Sequence, residues 1–512
     1  MKKIFFITAT LFSACYSFAQ EPADALRYSW IIPGGTARQQ AIGGAMGSLG
    51  GEISATFYNP AGIAFYKTGD FVITPSYNLT SNKATYFDRT EKDKKNKFVF
   101  GTTGFVLGSP ERKGKSHAIS LAINRTADFN SNILYRGINH QSSYSQKYLE
   151  ELANNDIRDS SAAFLFPFGS SLAINTFWID TANGWKAGNR TFQSLATPLL
   201  PTGLIQEQVI KNSGGITEFA LAEATNFNDK LLVGGTISVP VLNYKRTSKF
   251  TEADATSDVN NRFDFAVVDE KLSTSGAGIN LRAGLIYKPV EFIRLGLAIH
   301  SPTYFSLKDK YEVAVTTNTE NFQGSLTQRP DDIGVATPAE FKYTLLTPYR
   351  VIASASYVLR EIEDVRKQKG FLTADIEYVN YKASSFHLDE SNQNDATTEN
   401  YLDELNKAID KAYKGAFNFR AGGELKFTTI MARAGFAYYG NPYKNIHGEK
   451  GSKMQLTGGL GYRNKGVFVD LTYVHTIGKD VHFAYRLQNS AYSGAKIKNS
   501  NGNILLTVGF KI

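Results

Sequence analysis

Beyond residue 70 this chain alternates apolar and polar residues with a period of two, and few folds accept that pattern over such a length. Ile504, Leu506, Val508, Phe510 and Ile512 point one way while Leu505, Thr507, Gly509 and Lys511 point the other. Phe417, Phe419, Ala421 and Leu425 likewise oppose Asn418, Arg420, Gly422, Glu424 and Lys426. The split recurs for Ile279, Leu281, Ala283, Leu285 and Tyr287 against Asn280, Arg282, Gly284 and Lys288, and for Leu372, Ala374, Ile376 and Tyr378 against Thr373, Asp375 and Glu377. One face is continuously apolar and the other carries charge, as in a strand with lipid on one side and water on the other.

Fourteen such segments occur, at 71–80, 97–107, 116–127, 215–225, 230–245, 274–288, 292–303, 348–358, 370–382, 415–427, 430–439, 453–463, 467–477 and 502–512. Their connections alternate in length. Asn226 to Asp229, Pro289 to Glu291, Thr428-Thr429 and Asn464 to Gly466 are short; 81–96, 128–214, 246–273, 304–347, 383–414, 440–452 and 478–501 are long. Successive turns of an even-stranded antiparallel barrel fall on opposite sides of a membrane, which sorts them in this way. A soluble sandwich alternates too, but has no reason to sort its loops by length. The fold class expected is therefore all-β: a transmembrane antiparallel β-barrel of about 14 strands, residues 70–512, with long extracellular loops at 128–214, 304–347 and 383–414.

The start of the chain agrees with export. Lys2 and Lys3 precede an apolar run from Ile4, and Ser17-Phe18-Ala19 offers a cleavage site, so residues 1–19 read as a signal peptide. Phe12-Ser13-Ala14-Cys15 keeps open a lipoprotein acylated at Cys15. Loss of the signal removes the one cysteine and lowers the net charge from +9 to +7. That surplus is too dilute over so long a chain to suggest nucleic acid.

Residues 20–69 do not read as barrel wall. Gly34-Gly35, Gly43-Gly44, Gly47 and Gly50-Gly51 lead into Phe57-Tyr58-Asn59-Pro60-Ala61-Gly62, a compact small-residue segment suited to plug a lumen. The run closing on Asn59, Pro60, Ala61 and Gly62 resembles the hatch motif of the FadL family of outer-membrane transporters for long-chain fatty acids and other hydrophobic compounds. The resemblance continues through Ile279 to Pro289 with Arg294 to Leu297, Ala374 to Tyr378, Phe419 to Glu424, Arg433 to Tyr438 and the last strand. It implies an N-terminal hatch inside the barrel, capture of a hydrophobic small molecule by the outer loops, and exit sideways through the wall without a catalytic step. The family's opening lies beside a kink in the third strand; residues 116–127 hold neither Gly nor Pro, so the sequence does not place it here.

Trp30, Ile31, Ile32, Phe57 and Phe65 are the ligand-contact candidates; hatch packing is the plainer role for such apolar residues. Arg282, Arg294, Arg420 and Arg433 stand on the inward face with Asp375, Glu377, Glu424 and Asp470, placed to anchor the hatch by ion pairs or to meet a ligand carboxylate. Tyr401, Leu402, Leu405, Ala408, Ile409 and Ala412 recur at helical spacing in an outer loop. The run from Lys92 to Lys97 reads as a solvated face or a contact to lipopolysaccharide phosphate.

No Gly-x-Ser-x-Gly elbow occurs and the seven histidines are scattered, so neither enzyme, metal site nor cofactor is expected. The expectation is a monomeric multi-pass barrel of a Gram-negative-type outer membrane, in contact with its lipid and lipopolysaccharide. Two other readings stay open: an anchoring or shuttle component of a secretion system, and an ordinary porin.

Overall fold

The computed structural model describes residues 21–32, 34–110, 113–182, 191–256, 258–359, 369–389, 396–444 and 451–512. The signal segment, Cys15, Pro33 and His447 lie outside the described residues.

The wall is a closed antiparallel barrel of fourteen strands. In chain order these are β1 (Asp70–Ile73 continued by Pro75–Tyr86), β2 (Arg89–Phe100 and Thr103–Gly108), β3 (Lys115–Asp128 and Ser131–Asn139), β4 (Leu204–Phe227) and β5 (Leu231–Asp254). They continue as β6 (Phe265–Val290), β7 (Ile293–His300 and Tyr304–Asn318), β8 (Ala339–Leu346 and Arg350–Leu359), β9 (Gly370–Asn380 and Ser385–Leu388) and β10 (Gly415–Phe427). The last four are β11 (Ile430–Tyr439), β12 (Lys453–Asn464), β13 (Val467–His482) and β14 (Ala495–Lys511). Closure comes from β14 on β1, with Asp70 opposite Lys511 and Tyr77 opposite Ile504.

The alternation read from the sequence sets which way each side chain points. Phe417, Phe419 and Leu425 are exposed on the outside of β10, whereas Asn418, Arg420 and Glu424 are buried within. Leu372 and Ile376 face out from β9 against buried Thr373, Asp375 and Glu377. So many large apolar side chains exposed in one belt are stable only against hydrocarbon. Tyr287, Phe292, Tyr357, Phe427 and Tyr462 ring the belt beside the tight turns; Tyr77, Tyr304, Phe417, Tyr438 and Tyr473 ring its other edge. From Ile279 to Tyr287 on β6 is eight residue steps of tilted strand, about 20 Å of membrane thickness.

The strands run further outward than the period-two reading carries them. β4, β5 and β6 stay in register up to Ala253 opposite Phe265, so the segment expected as a loop at 246–273 is mostly ladder. The 81–96 loop is likewise a hairpin from Thr85–Thr90 down, turning at Phe87 and Asp88. Above the belt the outward face no longer meets lipid and turns polar, with Asn243, Lys245, Thr247, Lys249 and Lys271 exposed. The apolar half of the alternation is lost there while the pairing continues.

Outer segments fold back over these extensions. The helices Ser145–Asn154 and Ser170–Asn175, with Trp178 just after the second, bury Tyr148, Leu152, Leu172 and Trp178 against Phe250, Val268 and Val313 of the wall. The helix expected near 401–412 spans Ala396–Ala412, and its stripe of Leu402, Leu405 and Ile409 is buried. It packs on the first N-terminal helix, Pro22–Ser29, beside Tyr244, Leu272 and Tyr343.

Candidate functional site

The N-terminal segment threads the lumen from its outer end to the end that carries the tight turns. Its backbone polar groups are far from water and are taken up by wall side chains, as buried peptide groups must be. Thr507 Oγ1 accepts from Ala37 N at 2.7 Å, Thr472 Oγ1 donates to Ala37 O at 2.7 Å, and Asp375 accepts from Met46 and Gly47 N at 3.0 and 3.2 Å. His300 Nε2 lies 2.7 Å from the Tyr58 carbonyl, which only accepts, so that nitrogen carries the proton. Arg294 donates to Leu49 O at 2.6 Å.

Inward glycines of the wall let the two backbones touch. A Cβ on Gly234 of β5 would lie 2.6 Å from Pro60 C, and one on Gly284 of β6 would lie 1.9 Å from Asn59 Oδ1. Gly296 meets Gly47 in the same way, and Gly422 and Gly435 meet Ile42. Within the motif, Asn59 Oδ1 accepts from Ala61 N at 3.2 Å and caps the 3-10 helix Pro60–Phe65, with Pro60 at its first position. Asn59 Nδ2 donates to Gly47 O at 2.5 Å and to Leu285 O of the wall at 3.2 Å. Ala61 and Gly62 are buried, Gly62 against Ala55 and Gly50.

The ladder between β2 and β3 stops part-way up the wall. Thr103 to Gly108 pair with Ile123 to Ala118; beyond them, among the described residues, Arg89–Phe100 pairs with β1 alone. β3 instead turns inward behind that hairpin, where Asn82 donates to Asn132 O at 2.6 Å and Tyr86 meets Tyr135 at 5.0 Å. A β-bulge at Thr126 starts the divergence: Arg125 pairs with Thr217 and Ala127 with Ile216. The hatch covers the break. Gly34 lies on the Arg125 carbonyl, Gly35 O accepts from Thr102 N at 3.4 Å, and Thr102 Oγ1 donates to Asn124 Oδ1 at 3.1 Å.

Two small cavities, about 50 and 30 Å³, open on the inner side of the break. Ile31, Thr126, Arg282, His300 and Arg350 line both; Phe57, Tyr58 and Asn124 belong to the first, Ile216, Pro240 and Phe305 to the second. Charge here is neutralised in place. Arg282 donates to Glu218 at 2.6 Å and Ser238 at 2.6 Å, and Arg350 donates to Glu377 at 3.2 Å and to Ser29 O at 2.5 Å. Burial of such pairs is tolerable because each charge keeps a partner.

The sequence candidates therefore separate. Ile31, Phe57 and Arg282 meet at the cavities. Trp30 sits higher, half-buried with Lys453 Nζ 3.8 Å from its ring, and Ile32 is half-buried. Phe65 lies at the turn end of the lumen under Arg294, 4.5 Å away. Arg420 pairs with Glu377 beneath the Tyr58 ring, and Arg433 bridges Glu424 and Asp470, each at 2.5 Å. Sequence reasoning missed Asn124, Thr126, Glu218 and Arg350 as cavity residues; their inward parity on the strands was the available signal. Among the described residues no group of three His, Cys, Asp or Glu side chains could hold a metal ion.

A closed barrel with an apolar belt, its lumen filled by its own N-terminus, defines a plugged transmembrane β-barrel. No family model matches the chain, and no curated protein matches it in sequence. Among solved structures, a FadL homologue of Pseudomonas aeruginosa matches 94% of this chain and 99% of its own at a TM-score of 0.54 and 12% identity. The toluene transporter TodX of P. putida matches 94% of this chain and 99% of its own at 0.51 and 12% identity. The chain thus has the fold of the FadL-type barrels.

Proposed function

We propose that this protein is an outer-membrane channel that passes hydrophobic small molecules, long-chain fatty acids among them, through its wall and into the membrane by passive diffusion. The observation that carries this reading is the break between β2 and β3 with a cavity behind it and hatch residues Gly34 and Gly35 across it. An apolar solute gains by passing from a lumenal pocket directly into lipid.

Ligand pockets usually enclose about 300–1,000 Å³, so the present cavities are too small for such a cargo. Movement of the arm Trp30–Ile32 would enlarge them, which makes the hatch the gate. In this reading Ile31, Ile32 and Phe57 give apolar contact, Trp30 stands at the approach from outside, and Phe65 holds the lower hatch. Arg282 is the cation best placed for a carboxylate, while Arg294, Arg420 and Arg433 anchor hatch and wall. Lys92 and Lys94 of Arg89–Phe100 are exposed and face outward where lipopolysaccharide phosphates lie, while Lys95 and Lys97 turn inward to Asn212 O at 2.5 Å and Asn130 Oδ1 at 3.3 Å.

Native mass spectrometry with lipid extraction, on protein from its own membranes, tests the proposal. A near-stoichiometric fatty acid or other apolar molecule is expected. An empty lumen with a bound protein partner would overturn it in favour of a secretion anchor.

A further inference from the structure

A far larger cavity than the two at the break lies below the hatch, at the periplasmic mouth, and measures about 1770 Å³. Ten Lys and Arg line it against three Asp and Glu, a surplus of seven positive charges, where the whole chain carries a net +9. Lys288, Arg294, Lys369, Lys426, Arg463 and Lys511 come from six separate strands and turns around the mouth, so the charge forms a ring and not a patch. Its inner end is apolar, with Leu49, Phe65, Val358, Phe371 and Phe468 lining the same space. Like charges gathered in a concave, low-dielectric wall focus the field and raise the local concentration of anions. They also repel one another in the empty state, so an anion bound there relieves a cost that the fold otherwise bears.

We infer that this vestibule is a binding site for a single-chain anionic amphiphile, its carboxylate or phosphate head on the lysine and arginine ring and its chain against Phe65, Phe371 and Phe468. The site opens to the periplasm and is separate from the β2–β3 break. Two of its cations hold the hatch: Arg294 bonds Leu49 O at 2.6 Å, and Arg38 bonds Gly51 O at 3.2 Å. A head group seated there competes with those carbonyls, so occupancy loosens the lower hatch.

The test uses the full-length protein in phosphatidylcholine nanodiscs with a dodecyl phosphate carrying a photoreactive chain end, and the matching dodecyl alcohol. Cross-links are mapped by mass spectrometry. The phosphate is expected to label peptides containing Phe65, Phe371 or Phe468, and the alcohol to leave them unlabelled. The triple variant Lys288→Gln/Lys369→Gln/Lys426→Gln should bind the phosphate about tenfold more weakly, a difference of about 1.4 kcal/mol. Should the triple variant fail the heat-shift test of barrel folding, Lys369→Gln alone, in a turn, is expected to show part of the loss. Equal labelling by alcohol and phosphate, or unchanged affinity in the folded variants, would overturn the inference. Adding phosphatidylglycerol to the nanodisc identifies the source: suppressed labelling means bilayer head groups fill the ring, unchanged labelling a free amphiphile, and both support an anionic head. Labelling at Ile31 and Phe57 reads the transport site separately, so either proposal can fail alone.

Discussion

Thr102 and Asn124 join their side chains at 3.1 Å directly above the last ladder pair of β2 and β3, Thr103 opposite Ile123. This side-chain hydrogen bond from Thr102 to β3 spans the place where, in the proposed function, cargo leaves. A Thr102→Cys/Asn124→Cys protein, with Cys15, the one native cysteine, replaced by Ser, should therefore close under oxidation. Uptake of a hydrophobic substrate by cells is expected to fall to the level of cells lacking the protein and to return with reductant. Full uptake by the oxidised form would show that the break is not the exit.

Neighbouring glycines give a second prediction with its own control. Gly234 faces the hatch, where a Cβ would meet the Pro60–Ala61 backbone at 2.6 to 2.7 Å; a Cβ on Gly235 meets nothing nearer than Arg282 O at 3.7 Å. Gly234→Ala should displace the capped turn at Asn59 and raise single-channel conductance in planar bilayers. Gly235→Ala should leave it unchanged. Deletion of residues 20–69 should open a large new conductance, whereas an ordinary porin would show conductance unchanged by the deletion.

A third concerns pH. Glu252 stands on the part of β5 clear of the membrane, fully buried under the outer segment, where it accepts from Gln206 Nε2 at 2.6 Å, Tyr144 N at 3.1 Å and the Ser143 hydroxyl. Burial pushes its carboxyl up to about 7, and the hydrogen bonds only partly offset that rise. With a folded value above the unfolded one, the folded state holds the proton longer, so this contribution is full below about 4.5 and is lost as pH climbs to about 7, by about 3 kcal/mol. Hydrogen exchange across 140–182 should quicken between pH 5 and pH 8 beyond the intrinsic rate change. Glu252→Gln should flatten that difference.

The fourth prediction is one of stability. Arg433 is buried between Glu424 and Asp470 at 2.5 Å each, and Arg38 of the hatch reaches Glu424 at 3.4 Å. Arg433→Met leaves two carboxylates short of a cation and should cost about 3–5 kcal/mol in urea unfolding from vesicles. Replacing Glu424 and Asp470 by Gln and Asn in the same chain should recover most of that loss.

The barrel was legible because lipid imposes a rule on every second residue: Phe417 and Phe419 must be apolar and Arg420 must not. Above the belt that rule lapses, and Lys245, Thr247 and Lys249 continue a strand that the alternation no longer announces. The break in the wall was illegible for a different reason. The Lys115–Asp128 part of β3 supplies no glycine; the divergence rests on Gly34 and Gly35 in the hatch and on Gly214 and Gly215 in β4, the latter two at positive φ. Its cause is thus spread over three segments distant in sequence. The candidate contacts were legible as a set of apolar and cationic residues, but the separation of Trp30, Ile31 and Phe65 depends on the path of the hatch, which local pattern does not encode.

That path has a consequence for assembly. The helix Pro22–Ser29 rests at the outer end of a lumen that residues 34–66 fill, and the seam of β1 on β14 joins the first wall strand to the last. Among the described residues the filled lumen leaves no passage through which the helix could be drawn once the seam has zipped. The hatch segment must already lie inside the curling sheet when β14 reaches β1, so the closing pairing, Asp70 with Lys511, encloses a lumen already filled.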